Sequence, residues 1–254
     1  LSTRGALVVD HVTFAYAGND REVLKDVTIS VADGERLALV GPTGAGKSTL
    51  AKLMARLYDP SESNGHRGTV SYGGVDLRQA SNSDLRRRIV VVPQEGFCFS
   101  GSIRENIRIA RPEATDAEVE HALESIGALH RFTEFAEGLD TEVRERGSRL
   151  SAGERQLIAL ARAALVDPAV LVLDEATSNL DPGTEAVVEH ALETLMTGRT
   201  VIVVAHRLTT VRRADRIGVI DHGSLVELGS HDELVAIGGR YAALADAWQR
   251  SQPK

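Results

Sequence analysis

The sequence contains little cysteine, no long apolar run and no excess of basic residues. Cys98 is the single cysteine in 254 residues, which excludes an internal disulfide and a cysteine zinc cluster. The longest apolar runs have five residues, as from Val201 to Ala205, whereas a membrane-spanning helix needs about 20. The chain carries 29 Lys and Arg against 36 Asp and Glu, a formal net charge of −7. We therefore expect no nucleic-acid partner, which would need a basic face, and no direct membrane insertion.

The remaining composition is that of a globular protein. Hydrophobic residues make up 43% and charged residues 26%, and the length suits one large domain or two small ones. The sequence begins at Leu1 and shows no signal-peptide pattern. We expect it to be a fragment of a longer chain.

The hydrophobic pattern predicts two kinds of β-strand. Alternating apolar residues around Val12, Phe14 and Tyr16, and again from Val27 to Val31, predict antiparallel strands with one buried face. Later strands are continuously apolar and are followed by helical patterns, which predicts parallel strands covered by helices. We place these strands at Arg36 to Val40, Ile89 to Val92, Ala169 to Leu173, Thr200 to Ala205 and Ile217 to Ile220.

The stretch between the second and third of these strands shows no further β pattern and reads as helical. Thr115 and Glu118 form a capping-box pair, and apolar residues follow at helical spacing. We interpret residues 96–150 as an inserted helical subdomain, and 1–95 with 151–254 as the rest of the fold.

A phosphate-binding loop is predicted at Gly41-Pro-Thr-Gly-Ala-Gly46-Lys47-Ser48-Thr49, which fits the G-x-x-x-x-G-K-[ST] pattern. The loop follows an apolar strand and precedes a helical pattern with Leu50, Leu53, Met54 and Leu57 on one face. Its glycines let backbone N–H groups point inward, and the helix start adds partial positive charge. Lys47 would reach the β- and γ-phosphates, Ser48 would bind Mg²⁺, and Thr49 would contact phosphate.

Two carboxylates, Asp174 and Glu175, follow a buried strand, at the end where open α/β sheets bind ligands. Asp174 suits Mg²⁺ held through water, and Glu175 is placed to polarise an attacking water. His206 ends the next predicted strand. A lone histidine is more often structural, but this position at the end of a parallel strand raises the case for a catalytic role.

A second helix start, Leu150-Ser151-Ala152-Gly153-Glu154, has a capping box formed by Ser151 and Glu154. Such a start could receive a phosphate on the serine hydroxyl and the Gly153 N–H. The residues alone favour the simpler alternative of an ordinary capped helix.

Together these motifs resemble, over nearly the whole chain, the nucleotide-binding domain of an ATP-binding cassette (ABC) transporter. Residues 150–154 correspond to the family signature, usually Leu-Ser-Gly-Gly-Gln. The segments Phe99 to Ile107, Thr141 to Gly147 and Gly229 to Leu234 are similar to those of the exporter branch. The resemblance implies an α/β fold: a RecA-like P-loop NTPase core with an N-terminal antiparallel β subdomain and an inserted α-helical subdomain.

The resemblance also implies roles for individual residues. Tyr16 would stack on adenine, Gln94 would sense Mg²⁺ or water and couple to a membrane domain, and His206 would contact the γ-phosphate. The loop from Ser178 to Asp181 would lie across a dimer interface. The expected catalytic residues are Glu175, His206, Gln94 and Lys47, and the expected metal ligands are Ser48, Gln94 and Asp174. The expected nucleotide-binding residues are Tyr16, Gly41, Pro42, Thr43, Gly44, Ala45, Gly46, Lys47, Ser48, Thr49, Gln94, Ser151, Gly153 and Asp181.

The implied function is Mg²⁺-dependent ATP hydrolysis that drives export, at the cytoplasmic face of the cell membrane. ATP and Mg²⁺ would be the cofactors. The partners would be a second nucleotide-binding domain, paired head to tail, and a transmembrane domain of the same parent chain. Two departures from the signature, Ala152 and Glu154, raise the alternative of a heterodimer with another cassette. A soluble ABC ATPase and an ATP-gated regulatory module remain as competing functions.

Overall fold

The computed structural model describes residues 1–18, 21–63, 65–144, 147, 149–174, 182–205 and 207–251. Within these residues the strands are β1 Leu7–Phe14, β2 Leu24–Val31, β3 Arg36–Val40, β4 Glu62–Ser63, β5 His66–Arg67, β6 Thr69–Tyr72, β7 Val75–Asp76, β8 Ile89–Val92, β9 Gly101–Ser102, β10 Glu142–Val143, β11 Val170–Asp174, β12 Thr200–Val204, β13 Arg216–Asp221 and β14 Ser224–Gly229. The α-helices are α1 Lys47–Met54, α2 Asn82–Arg88, α3 Ile103–Arg108, α4 Asp116–Ser125, α5 Leu129–Thr133, α6 Ala152–Val166, α7 Pro182–Met196, α8 Leu208–Val211, α9 His231–Ile237 and α10 Arg240–Ser251. Short 3₁₀ turns lie at Leu77–Gln79 and Gly138–Asp140.

The chain forms two compact units. One contains residues 1–89 and 200–254, and the other contains residues 90–199. The first unit holds an antiparallel sheet in the order β2-β1-β6-β7. In β2, Val27, Ile29 and Val31 are buried, and the intervening Thr28 and Ser30 are exposed. This alternation confirms the predicted antiparallel strands with one buried face.

A second sheet in the same unit has the order β14-β13-β3-β12. Strand β3 pairs in parallel with both β12 and β13, and β14 closes the edge in antiparallel register. Residues Leu37 to Val40 are completely buried, as expected for a parallel strand covered on both faces. Because β3, β12 and β13 run in one direction, their carboxyl ends share one edge, from which residues 41–46 emerge.

The C-terminal helices cover this parallel sheet. Val40 and Ile217 from the strands pack in one core with Val211 of α8 and Tyr241 of α10. The hydroxyl of Tyr241 is hydrogen-bonded to Nδ1 of His231 at 2.6 Å, which satisfies a polar group on a fully buried ring.

The second unit is mainly helical. Helix α6 packs against α3, α4 and α7, and it buries Leu157, Leu160 and Ala161 completely. Strand β11 lies beside β8. Helix α4 begins after Thr115 with the expected capping box. Residues 96–150 lie wholly within this unit, and their assignment as a separate subdomain stays a prediction.

Two local expectations were wrong. The stretch between β8 and β11 was expected to lack strands, but β9 and β10 form a short antiparallel pair, and two-residue strands are too short to show a period. Leu57 was expected on one helix face with Leu50, Leu53 and Met54, yet α1 ends at Met54 and Leu57 is 46% exposed. Arg56 adopts a left-handed conformation at φ 49°, which turns the chain away from the helix axis. Among the described residues no helix combines the length and apolar character needed to cross a bilayer.

Candidate nucleotide site

The loop of residues 41–46 has a backbone that requires glycine at two positions. Gly41 has φ 142°, and a Cβ there would lie 2.0 Å from the carbonyl oxygen of Ile220. Gly46 has φ 110°, and a Cβ there would lie 2.8 Å from Cδ2 of Leu24. Since a side chain would clash in both places, the loop can follow this tight path between β3 and α1 only with these glycines.

A neighbouring turn supports the loop. The turn between β13 and β14 places the N–H of Gly223 at 3.0 Å from the carbonyl oxygen of Ala45, to which it donates. The carbonyl of Gly223 in turn accepts the N–H of Lys25 at 2.8 Å. The loop backbone is thus tied to two strands of its own unit before any ligand binds.

Lys47 opens α1, and its ammonium lies inside the loop. The Nζ atom donates to the carbonyl oxygens of Gly41 and Pro42 at 2.9 and 3.0 Å, and the residue is only 5% exposed. The first turn of α1 contains no acidic residue. A buried ammonium therefore adds to the partial positive charge of the helix start, which is an arrangement suited to a phosphate group.

Tyr16 and Thr49 are in direct side-chain contact within the first unit. The Tyr16 hydroxyl and Oγ1 of Thr49 are hydrogen-bonded at 2.9 Å. The Tyr16 ring packs edge-to-face on Phe14 and Tyr58, with centroid distances of 5.0 and 5.4 Å. The structure thus connects the residue expected to stack on adenine with the last residue of the phosphate loop.

Helix α6 begins at the second predicted anion site. Ser151 is the N-cap, and its Oγ accepts the N–H of Glu154 at 3.1 Å, while Oε2 of Glu154 accepts the N–H of Ser151 at 2.8 Å. The predicted capping box is therefore present. Gly153 is buried and lies close to α7: a Cβ at this position would be 2.1 Å from Cγ2 of Thr184.

The two departures from the signature have definite positions. Ala152 is exposed at the helix start, so its extra methyl group points to solvent. Glu154 is buried, and its second oxygen, Oε1, accepts from Nη2 of Arg131 at 2.8 Å. Both carboxylate oxygens are thus bound within the chain. Sequence reasoning missed Arg131, because no spacing rule links a residue on α5 to a helix start 23 positions later.

The segment that carries Gln94 lies against the same helix start. The side chain of Gln156 donates from Nε2 to the carbonyl oxygen of Pro93 at 3.2 Å. A Cβ on Gly96 would lie 2.1 Å from the carbonyl oxygen of Arg155. Gln94 itself is exposed. The structure therefore brings the predicted glutamine segment and the signature helix together within the second unit.

Asn106 and Arg162 hold the chain that follows Gln94. Asn106 is bonded through its side chain to both backbone groups of Phe99. Arg162 donates to the carbonyl oxygens of Phe97 and Asn106 at 2.6 and 2.7 Å. Cys98, which lies between Phe97 and Phe99 in the sequence, is fully buried, and burial raises the pKa of its thiol.

Asp174 is the last residue of β11 and is partly exposed. The oxygen ligands expected for Mg²⁺, the Ser48 hydroxyl and the Asp174 carboxylate, are of the hard type that this ion prefers. Among the described residues no three His, Cys, Asp or Glu side chains form a metal cluster. A magnesium ion held mainly by phosphate oxygens and water needs no such cluster. The predicted residues Glu175, Ser178 to Asp181 and His206 lie outside the described residues.

Comparison with known proteins decides the family. The family model for ABC transporters matches residues 24–178, which include the phosphate loop, Gln94 and the signature. The chain belongs to the ABC transporter family. The family assignment made from the motifs is confirmed.

The matching relatives of this ABC transporter chain are much longer proteins. The uncharacterized ABC transporter ATP-binding protein YknV of Bacillus subtilis is 48% identical over 243 residues, which cover 96% of the chain and 39% of YknV. A multidrug efflux ATP-binding/permease protein of Mycobacterium tuberculosis is 46% identical, over 97% of the chain and 20% of that protein. The β-(1→2)glucan export ATP-binding/permease protein NdvA of Agrobacterium vitis is 46% identical, over 96% of the chain and 41% of NdvA. The chain thus spans between a fifth and two fifths of these relatives.

A solved structure has the same fold. A bacterial Atm1-family ABC exporter with ATP bound is 38% identical to this chain, with a TM-score of 0.88 over 100% of the chain and 43% of that protein. This similarity confirms the expected ABC ATPase fold, with its antiparallel β subdomain and helical content.

Proposed function

We propose that the chain is the ATP-binding and ATP-hydrolysing motor domain of an ABC exporter. The observation that carries the proposal is the phosphate loop with the buried Lys47 ammonium inside it and no acidic residue in the first turn of α1. This loop favours a nucleotide phosphate over a neutral ligand. The names of the relatives, which include efflux and export ATP-binding/permease proteins, support export as the process that hydrolysis drives.

The chain's residues bind and orient ATP as follows. Tyr16 stacks on the adenine, the N–H groups of residues 41–46 and the ammonium of Lys47 bind the phosphates, and Thr49 contacts a phosphate oxygen. Ser48, Asp174 and Gln94 hold Mg²⁺, directly or through water. When bound, the ion neutralises charge on the β- and γ-phosphates.

Hydrolysis uses a water molecule as the nucleophile. Glu175 orients this water and accepts its proton, while His206 donates a hydrogen bond to the γ-phosphate. The water oxygen bonds to the γ-phosphorus as the bond to the bridging oxygen breaks, which yields ADP and phosphate. Lys47 stabilises the negative charge that develops on the phosphate oxygens.

Two copies of the domain pair head to tail, so that each ATP lies between the phosphate loop of one and the signature of the other. Ser151 and Gly153 supply the signature contacts, and Asp181 belongs to the loop across this interface. Closure depends on ATP, and the segment after Gln94 transmits it to a transmembrane domain of the parent protein. The exposed Ala152 methyl and the bound Glu154 carboxylate both leave the signature competent, which favours pairing of identical chains.

Single-turnover hydrolysis of Mg-ATP by the purified chain tests this function. We expect Glu175→Gln to bind ATP and leave it uncleaved, and Lys47→Ala to lose ATP binding. Lys52→Ala, on the last turn of the same helix, is the matched control and should bind ATP as the unmodified chain does. A fully active Glu175→Gln variant would remove Glu175 from the role of base. Binding without any turnover by the unmodified chain would favour an ATP-gated regulatory module.

The location at the cytoplasmic face of the membrane depends on the parent protein. Six hydrophobic spans encoded upstream of Leu1 would support an exporter. A soluble segment in their place would contradict transport and favour a soluble ABC ATPase.

A further inference from the structure

Among the described residues, four helices start with a capping box that uses a glutamate. These pairs are Ser102 with Glu105, Thr115 with Glu118, Ser151 with Glu154, and Ser230 with Glu233. Glu154 differs from the other three glutamates because it is buried, with a side chain only 7% exposed. A buried carboxylate is stable only when its oxygens are bound and its charge is compensated.

Arg131 supplies that compensation. Its Nη2 donates to Oε1 of Glu154 at 2.8 Å, and Oε2 of Glu154 accepts the N–H of Ser151. The Arg131 side chain is 42% exposed, and its Nη1 also lies 3.6 Å from Oε2 of Glu134, directly after α5. The contact therefore reaches from a half-exposed guanidinium to a buried carboxylate in the first turn of α6.

The same pair determines what Ser151 offers to a ligand. The Oγ of Ser151 accepts the N–H of Glu154, and this contact uses an acceptor site of the hydroxyl and leaves its hydrogen as a donor. A phosphate oxygen can accept that hydrogen. Without a positive partner, the Glu154 charge would oppose any phosphate at this helix start, since both would compete for the same partial positive charge.

We propose that Arg131 is a positioning residue for the signature, which neutralises Glu154 and so keeps the helix start of α6 attractive to the γ-phosphate of ATP bound by the second chain. This role rests on the proposed function. It also explains how a carboxylate can stand where the family usually has glutamine.

A double-mutant cycle on ATP turnover tests this role. We expect Arg131→Ala to raise the KM for Mg-ATP about tenfold or more, the scale of a lost charge-assisted hydrogen bond to a buried group. In a Glu154→Gln background the same Arg131→Ala change should raise KM less than about threefold, because no carboxylate charge remains to compensate. Arg131→Lys, which keeps the positive charge, should recover most of the loss. Raising the salt concentration should shrink the Arg131→Ala defect, because screening weakens the repulsion between Glu154 and phosphate.

Arg111 provides a matched control. It pairs with Glu118, which forms the capping box of α4 with Thr115 in the same way that Glu154 does with Ser151. Arg111→Ala thus removes the same kind of contact from a helix start outside the signature. We expect the KM for Mg-ATP to stay unchanged in this variant.

Three results would overturn the proposal. An unchanged KM in Arg131→Ala would show that the Glu154 charge does not affect ATP. An equal loss in both backgrounds, insensitive to salt, would show that Arg131 acts only through packing. Absence of turnover in the unmodified chain would contradict the proposed function and this role with it, whereas the first two results would leave the proposed function standing.

Discussion

The side chain of Asn106 lies at the centre of the contacts that hold the segment after Gln94. It is 1% exposed and makes four hydrogen bonds. Its Oδ1 accepts the N–H of Phe99 at 2.8 Å and Nη2 of Arg162 at 3.0 Å. Its Nδ2 donates to the carbonyl oxygens of Phe99 and Ser102 at 2.9 and 3.0 Å. Replacement by alanine removes all four.

The expected loss of unfolding free energy follows from these four hydrogen bonds. Four hydrogen bonds at about 1 kcal/mol each amount to about 4 kcal/mol. Phe99 is half-exposed, so water can recover part of the loss at its backbone groups. We therefore expect Asn106→Ala to lower the free energy of unfolding by about 2–4 kcal/mol.

Urea unfolding followed by circular dichroism measures this change. Asn82→Ala, at the exposed first position of α2, is the control and should change stability by less than about 0.5 kcal/mol. A loss below about 1 kcal/mol in Asn106→Ala would refute the reasoning, because it would mean that these contacts are replaced by water at little cost.

Two further substitutions test the contacts that stabilise the phosphate loop and the antiparallel sheet. Gly223→Ala should lower the free energy of unfolding in urea by more than about 2 kcal/mol, since φ is 86° and the new Cβ would lie 2.5 Å from the carbonyl oxygen of Val23. The control is Gly74→Ala, where φ is 80° and the new Cβ would meet no atom within 4 Å, so the loss should be only about 1 kcal/mol. Equal losses in the two variants would contradict the clash at Gly223. Arg78→Ala should lower stability at pH 7 by about 1 kcal/mol, because the Arg78 guanidinium, bonded to both oxygens of Asp76, holds the pKa of that carboxyl below its ordinary value. A depressed pKa contributes stability above the ordinary value of 3.8 and loses it as the pH falls through the lower folded-state value, so the two proteins should converge below pH 3.8, and a constant difference down to lower pH would contradict the pairing.

Continuous apolar runs predicted most of the buried strands. Strands β3 and β8 have the predicted bounds, and β11 and β12 differ by a single residue at their ends. These strands are continuously apolar, so their burial is visible in the residues themselves. The short pair β9 and β10 could not be found this way, because its stability comes from contacts between segments about 40 residues apart in sequence.

The candidate site likewise contains parts that the sequence predicts and contacts that it does not. The phosphate loop is encoded in one contiguous run, in which Gly41 and Gly46 adopt positive φ values and the Lys47 ammonium is bonded to a loop carbonyl. The contacts of these residues with a nucleotide stay predictions. The Arg131 contact to Glu154 depends on where α5 packs, which no local pattern specifies. The same holds for Gly223, whose contact with Ala45 depends on pairing between distant strands.

The central claim, that two chains share each ATP, is tested most directly by mixing two inactive variants. Lys47→Ala disables the phosphate loop, and Ala152→Glu places a carboxylate at the exposed start of the signature helix without disturbing its capping box. If sites are shared, a mixed dimer combines the intact loop of one chain with the intact signature of the other. We predict that an equal mixture recovers about a quarter of the unmodified ATPase rate, since random pairing makes half the dimers mixed and each has one of two sites intact. A mixture as inactive as its components, beside an active unmodified chain, would contradict the shared site.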